Sequence, residues 1–267
     1  MDAIITAGGI ITPEDPLYQI AKVEKKALIP LVGKPMISWV LDALGSSALI
    51  DHIIIVGLQP HELDYQDQKL YFVDSAGGLI ENIFAGIAKL RQVNPLVKKF
   101  LLLSSDIPLI TAETIHGFVE ECGDQTADIY YAVVEEKTME ARFPQSKRTY
   151  IPFKGGRYTG GDIFLFDMRA ANDNNIELGR ALTGSRKNAL NQARLIGLGF
   201  IIRFLLRMMT VHEAARRASA KVNLNGRAVD TRFAELGMDL DKPHQYQIIK
   251  ASLEERQAAQ LVNKPHP

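Results

Sequence analysis

Cysteine occurs once in the 267 residues, at Cys122. A lone thiol excludes an internal disulfide framework and a Cys-rich zinc site. Net charge is also lacking: 31 Lys and Arg balance 31 Asp and Glu, which argues against general affinity for nucleic acid. No apolar run is long enough to span a bilayer. The most apolar stretch, Leu195 to Met209, is about fifteen residues long and carries Arg203 and Arg207, whereas a spanning helix needs roughly 20 apolar residues. Gly-x-x-x-x-Gly-Lys-Ser/Thr, Gly-x-Gly-x-x-Gly and Gly-x-Ser-x-Gly are all missing, and the six histidines form no ligand-like pair. The opening Met-Asp-Ala-Ile-Ile-Thr lacks the basic segment of a signal peptide, so the expected compartment is the cytoplasm.

What remains is ordinary globular composition, 46% hydrophobic and 23% charged, in an informative order. Short apolar runs at 3–6, 53–56, 70–73, 100–103, 129–134, 150–153 and 163–166 read as strands. Helical patterns lie between them: Met36 to Leu44, Glu81 to Leu90, Thr111 as N-cap to Val119, Thr210 and Glu213 as a capping box running toward Ser219, and His244 to Leu253. This alternation predicts an α/β fold with a largely parallel sheet. The chain reads as one domain over 1–258, with a basic, helix-rich insertion at about 178–220 and a tail at 259–267. From Arg180 to Arg232 eleven Lys or Arg face only Glu213 and Asp230, leaving the remainder acidic by the same margin. Residues 195–209 suit an amphipathic helix against the protein itself, a subunit partner or a membrane surface. The oligomeric state is left open.

Ala7-Gly8-Gly9 directly follows the first strand, where a glycine pair lets the backbone approach a ligand and offers amides to phosphate. A tight turn would use the same residues. Downstream comes Lys25-Lys26-Ala27-Leu28-Ile29-Pro30-Leu31-Val32-Gly33-Lys34-Pro35-Met36. Together these segments resemble the nucleotidyltransferase superfamily that activates sugars and cofactors, in particular the branch of the molybdenum cofactor guanylyltransferase (MobA-like). The resemblance implies a three-layer, Rossmann-like α/β/α fold of glycosyltransferase-A type with a mostly parallel mixed sheet. It also implies that Ala7, Gly8, Gly9 and Lys26 hold the nucleotide phosphates. The chain departs from that pattern between Ile10 and Glu24, which is longer and has no arginine, so guanine and molybdopterin are not expected specifically.

Phe100-Leu101-Leu102-Leu103-Ser104-Ser105-Asp106-Ile107-Pro108-Leu109 is a buried strand ending in a carboxylate at the sheet edge where α/β proteins bind ligands. The resemblance makes Asp106 the ligand of a Mg²⁺ on the phosphates; an Asx turn before Thr111 is the simpler alternative. Asp239 and Asp241, in Met238-Asp239-Leu240-Asp241-Lys242-Pro243, look like a second acidic segment of the family. Their spacing does not say which of the two joins the metal site; Asp239 is ranked first because Asp241 is better placed as the helix cap. Gly77 and Gly78 precede a helix and, by the resemblance, lie beside the nucleobase. Gly160, Gly161 and Asp162 resemble an acceptor-facing glycine turn, with a plain hairpin turn as the alternative, and Lys147 and Arg148 offer charge for a phosphate.

The implied reaction is Mg²⁺-dependent transfer of a nucleoside monophosphate from an NTP to a phosphorylated small molecule such as a sugar, alditol, lipid or cofactor phosphate, with Lys26 and Asp106 as the catalytic pair. The acceptor phosphate is already an anion, so no general base is needed. A glycosyltransferase using a nucleotide sugar and a non-catalytic nucleotide-binding module are the alternatives.

Overall fold

The computed structural model describes residues 1–172, 203, 206–221 and 223–262. In chain order the elements are β1 (Asp2–Thr6), α1 (Pro16–Ala21), β2 (Pro30–Leu31), β3 (Lys34–Pro35), α2 (Met36–Gly45), β4 (Ile53–Val56), β5 (Leu70–Val73), α3 (Leu79–Val93), β6 (Lys99–Ser104), α4 (Ala112–Glu121), β7 (Ile129–Glu135), α5 (Glu136–Arg142), β8 (Ile151–Phe153), β9 (Gly156–Asp167), α6 (Val211–Ala220), β10 (Gly226–Asp230) and α7 (Pro243–Val262).

One sheet runs β10-β7-β9-β6-β1-β4-β5, with β8 paired to β9. β6, β1, β4 and β5 pair in parallel, as do β7 and β10, while β9 is antiparallel to both β6 and β7. The order reverses about β1, and the carboxyl ends of β1 and β6 lie side by side there, with Thr6 opposite Ser104. That is the crevice in which open α/β sheets bind ligands.

The strands form where apolar side chains cover both faces. Ile53 to Val56 and Leu101 to Leu103 are buried throughout, because helices pack on either side. One face joins α2 and α4 through Val40, Leu44, Ile115 and Phe118; the other joins α3 through Ile87 and Leu90. A second cluster gathers Ile11, Leu17, Met36, Trp39, Leu109, Ile249 and Leu253, and seats α7 against the segments that carry the site.

Thr111 and Thr210 each accept a hydrogen bond from an amide of the first helical turn, at Thr114 and Glu213, and each of those residues reaches back, so both capping boxes form. Three expectations are corrected. Gly160 and Gly161 do not make a turn before a strand; they lie inside the twelve-residue β9. Glycine is needed there because a Cβ on Gly160 would fall 1.8 Å from the Tyr131 hydroxyl, and one on Gly161 would fall 2.8 Å from Ala132 Cβ. The final helix extends through residues 259–262, which were read as tail, and Tyr150 stands just before β8 rather than within it. Most of the predicted insertion, including 195–202, 204 and 205, and the last five residues lie outside the described residues; the part from 211 to 220 is α6.

Candidate functional site

The site is built on loops leaving β1 and β6. After Thr6 the chain turns through Ala7, Gly8 and Gly9, of which Ala7 is buried and Gly9 exposed. Gly8 is wedged against its neighbours: a Cβ on it would meet Asn82 Nδ2 at 2.9 Å and Ser75 Oγ at 3.2 Å. Below it, Gly57 at the end of β4 has φ +104°, and a Cβ there would lie 2.4 Å from Gly8 Cα. These two glycines therefore let two backbone segments touch. Asn82 Oδ1 accepts from the Ala76 amide at 2.7 Å, which brings the Gly77-Gly78 turn at the start of α3 beside the Gly8 loop.

The long segment between Gly9 and Lys26 is organised. Ile11 donates to Glu24 at 2.7 Å, Ile10 bridges Lys25, and between them Asp15 caps α1 by accepting from the Leu17 amide. Closing this excursion places the Lys26 amide on the Gly9 carbonyl at 2.9 Å. Lys25 points the other way, to Glu62 at 2.6 Å and the Gly57 carbonyl at 3.3 Å, and so braces the floor of the loop.

Lys26 Nζ donates to Asp106 Oδ2 at 2.6 Å and to Asp241 Oδ1 at 2.5 Å. Burial alone would lower the lysine pKa, but the charges of Asp106 and Asp241 outweigh it and hold the ammonium above its ordinary value. Asp241 thus spends its carboxylate on Lys26 instead of the helix cap expected for it, while its own amide donates to Gln245 Oε1 in the first turn of α7. The Leu240 amide donates to the Asp106 carbonyl at 2.9 Å, which locks the segment bearing Asp239 and Asp241 alongside the end of β6.

Three carboxylates converge as a result. Asp106, Asp239 and Asp241 each offer an oxygen, and all lie within 4.8 Å of one another. Asp106 Oδ1 is buried with no hydrogen-bond partner among the described residues. Oxygen donors of this kind suit a hard divalent cation such as Mg²⁺, so the residues fit the metal that the sequence implied. Arg148 is turned inward onto Asp239 as a close ion pair, whereas Lys147, beside it, is exposed. Asp162 projects from β9 toward the same group; burial, followed by the charge of Asp106, pushes its carboxyl up to about 7. Burial, and then Asp162, likewise push the Tyr131 hydroxyl up to about 12.

The structure therefore brings together Gly8, Gly9, Lys26, Asp106, Asp239, Arg148 and Asp162, with Gly77 and Gly78 on the rim. It leaves Lys147 outside, and gives Gly160 and Gly161 a packing role in β9. Sequence reasoning missed the place of Asp241 and the pair Lys25 and Glu62, whose partners lie far along the chain, and also Asn82, which bonds the nearby Ser75 and Ala76. Cys122 is buried, and its thiol is pushed up to about 12, chiefly by burial, so it offers no competing nucleophile. No helix among the described residues is long and apolar enough to cross a membrane.

Residues 21–173 match the MobA-like NTP transferase domain, a match that begins after most of the lengthened loop. A hypothetical transferase from Thermus thermophilus has a similar structure, with 30% identity and a TM-score of 0.76 over 92% of this chain and 98% of that one. A 4-diphosphocytidyl-2C-methyl-D-erythritol synthase from Anaerococcus prevotii shares the fold at 13% identity and a TM-score of 0.55, covering 95% of each chain. CMP:2-keto-3-deoxy-manno-octonic acid synthetase, solved in complex with CTP, does so at 14% identity and a TM-score of 0.55 over 95% of this chain and 98% of that one. No curated protein matches in sequence.

Proposed function

Because the chain belongs to the MobA-like NTP transferase family and is a nucleotidyltransferase, we propose that it transfers a nucleoside monophosphate from an NTP to a phosphorylated small molecule, with Mg²⁺ and with release of pyrophosphate. One observation carries this reading: Lys26 is hydrogen-bonded through its amide to the glycine loop and through its ammonium to Asp106 and Asp241. An ammonium tied both to a glycine loop and to carboxylates able to hold a divalent cation suits the binding of a polyphosphate.

Asp106, with Asp239 and Asp241, would hold the metal. Mg²⁺, when bound, supplies charge neutralisation on the phosphate oxygens and orients them for in-line displacement. The chain's own groups do the rest. The free amides of Gly8 and Gly9 receive phosphate oxygens, and the Lys26 ammonium offsets the charge that accumulates on the leaving pyrophosphate. An acceptor phosphate oxygen attacks the α-phosphorus and the α–β bridging P–O bond breaks; the nucleophile is already anionic, so no base is required. Arg148, which is paired with Asp239 in this structure, would hold the acceptor phosphate. The Ser75 to Asn82 turn, which lies beside Gly8, would face the rest of the nucleotide.

Two of the structural neighbours carry cytidyl or CMP in their names, which makes CTP the first nucleotide to try. A thermal-shift screen of the four NTPs with Mg²⁺ is the test. A shift selective for one NTP, dependent on Mg²⁺, is expected; no shift with any of them would contradict the reading.

A further inference from the structure

The two cations in the site are held differently. Lys26 has two carboxylates within hydrogen-bond distance and contacts a third segment through its backbone. Arg148 has one ion-pair partner, Asp239, and its Nε is buried with no hydrogen-bond partner among the described residues. Both members of that pair are largely out of water, with side-chain exposures of 13% and 11%. A guanidinium carries five donors in a planar fork, so a single-partner contact in a buried place leaves much of its capacity unmet. Buried ion pairs of that quality return little beyond the cost of desolvating them.

A divalent cation ligated by Asp106, Asp239 and Asp241 would meet both positive side chains. Asp106 Oδ1 is open to it, but the Asp239 carboxylate is engaged by Arg148. Like charges a few ångströms apart repel, and the less tethered one moves. Arg148 sits on the coil between α5 and β8, beside the exposed Lys147, so a released guanidinium enters a basic, open stretch. A planar fork freed from a carboxylate matches a phosphate equally well.

We propose that Arg148 is an exchangeable counter-ion, neutralising Asp239 while no divalent cation is bound and, once displaced by one, gripping the acceptor phosphate, so that metal and acceptor bind with positive coupling. This rests on the transfer reading above for the identity of the acceptor. It goes beyond that reading in making the order of loading a property of one ion pair. Asp162 and Tyr131, from the sheet, are the other titratable groups that feel the Arg148 charge.

The test uses Mn²⁺ and inorganic phosphate as probes, with free Mn²⁺ read by electron paramagnetic resonance. Arg148→Gln is expected to bind Mn²⁺ about tenfold more tightly than the wild type, because one unit of positive charge has gone. Saturating phosphate is expected to tighten Mn²⁺ binding severalfold in the wild type and to have no effect in Arg148→Gln, as reciprocity between two coupled ligands requires. Unchanged Mn²⁺ affinity in the variant, no binding in either protein, or a phosphate effect that survives the substitution overturns the proposal. Asp239→Asn gives an independent check if Arg148→Gln does not fold: it frees the guanidinium without metal, and should bind phosphate about tenfold more tightly than metal-free wild type in calorimetry. An unchanged phosphate affinity contradicts the proposal. None of these measurements needs turnover. Coupling without pyrophosphate release would sink the transfer reading alone, and turnover without coupling would sink this inference alone.

Discussion

Lys26 and Asp106 are eighty residues apart in the chain and 2.6 Å apart in the site, joined by an ion pair whose side chains are mostly buried. The lysine belongs to the 3-10 turn that follows the closed excursion after β1, and the aspartate to the end of β6. Adjacency of those two parallel strands makes the pairing possible, and the second partner, Asp241, adds the segment that leads into α7.

Removing the ammonium while keeping a polar side chain should separate chemistry from folding. Lys26→Gln is expected to lower kcat/KM for NTP by about 10²- to 10³-fold, the usual effect of losing one positioned donor to a developing charge. Its thermal melting should fall as well, because two ion pairs, to Asp106 and Asp241, go with the ammonium, but the fold should survive at the assay temperature. Steady-state pyrophosphate release checks the first and calorimetry the second. Activity within a fewfold of wild type would remove Lys26 from the phosphate site.

The close approach of Gly57 to Gly8 makes a stability prediction that can be read against an internal control. Gly33 has φ +85° with nothing near its missing Cβ, so Gly33→Ala should cost only the conformational strain, about 1 kcal/mol. Gly57→Ala adds a collision with Gly8 Cα and should cost about 2–4 kcal/mol in urea denaturation, with weakened NTP binding besides. Equal costs for the two would mean that the loop yields freely.

A pH-dependent effect is expected at Glu140, away from the site. The Tyr150 hydroxyl, donating at 2.5 Å, holds the Glu140 carboxyl below its usual 4.5, assisted by Ser146 and the Gln145 amide and opposed by slight burial. A lowered carboxyl contributes stability above its unfolded value and loses it as pH falls through the folded one. Tyr150→Phe should therefore lower the melting temperature more at about pH 7 than at about pH 3. Equal losses at both would show that the hydroxyl does not favour the ionised carboxylate.

Much of the frame could be read from local pattern. Ile53 to Val56 and Leu70 to Val73 are strands over the same residues as expected, because four apolar or aromatic side chains in a row need a two-sided cover. Thr111 and Thr210 announced their helices by capping chemistry that acts within three residues. Elements whose reason is distant were missed. β10, Gly-Arg-Ala-Val-Asp, has only two consecutive apolar residues and two charges, too weak a pattern to announce itself, and pairs along β7. β9 continues through Gly160 and Gly161 because Tyr131 and Ala132 leave no room for side chains there. α1 carried a local signal, Asp15 followed by Pro16, hidden inside a segment read only as a long loop. In the site, Gly8, Gly9, Lys26 and Asp106 were candidates because they stand in motifs that resemble those of the family. The position of Asp241 on Lys26 depends on contact across 215 residues, which no local pattern encodes.

The central claim is that Asp106 and Lys26 serve nucleotidyl transfer, and the most direct measurement is pyrophosphate release from NTP, Mg²⁺ and a panel of phosphorylated acceptors by wild type and Asp106→Ala. The account predicts release that needs both an acceptor and Mg²⁺ in the wild type, and a fall of at least about 10²-fold in the variant at intact fold. Undiminished release by Asp106→Ala would contradict it.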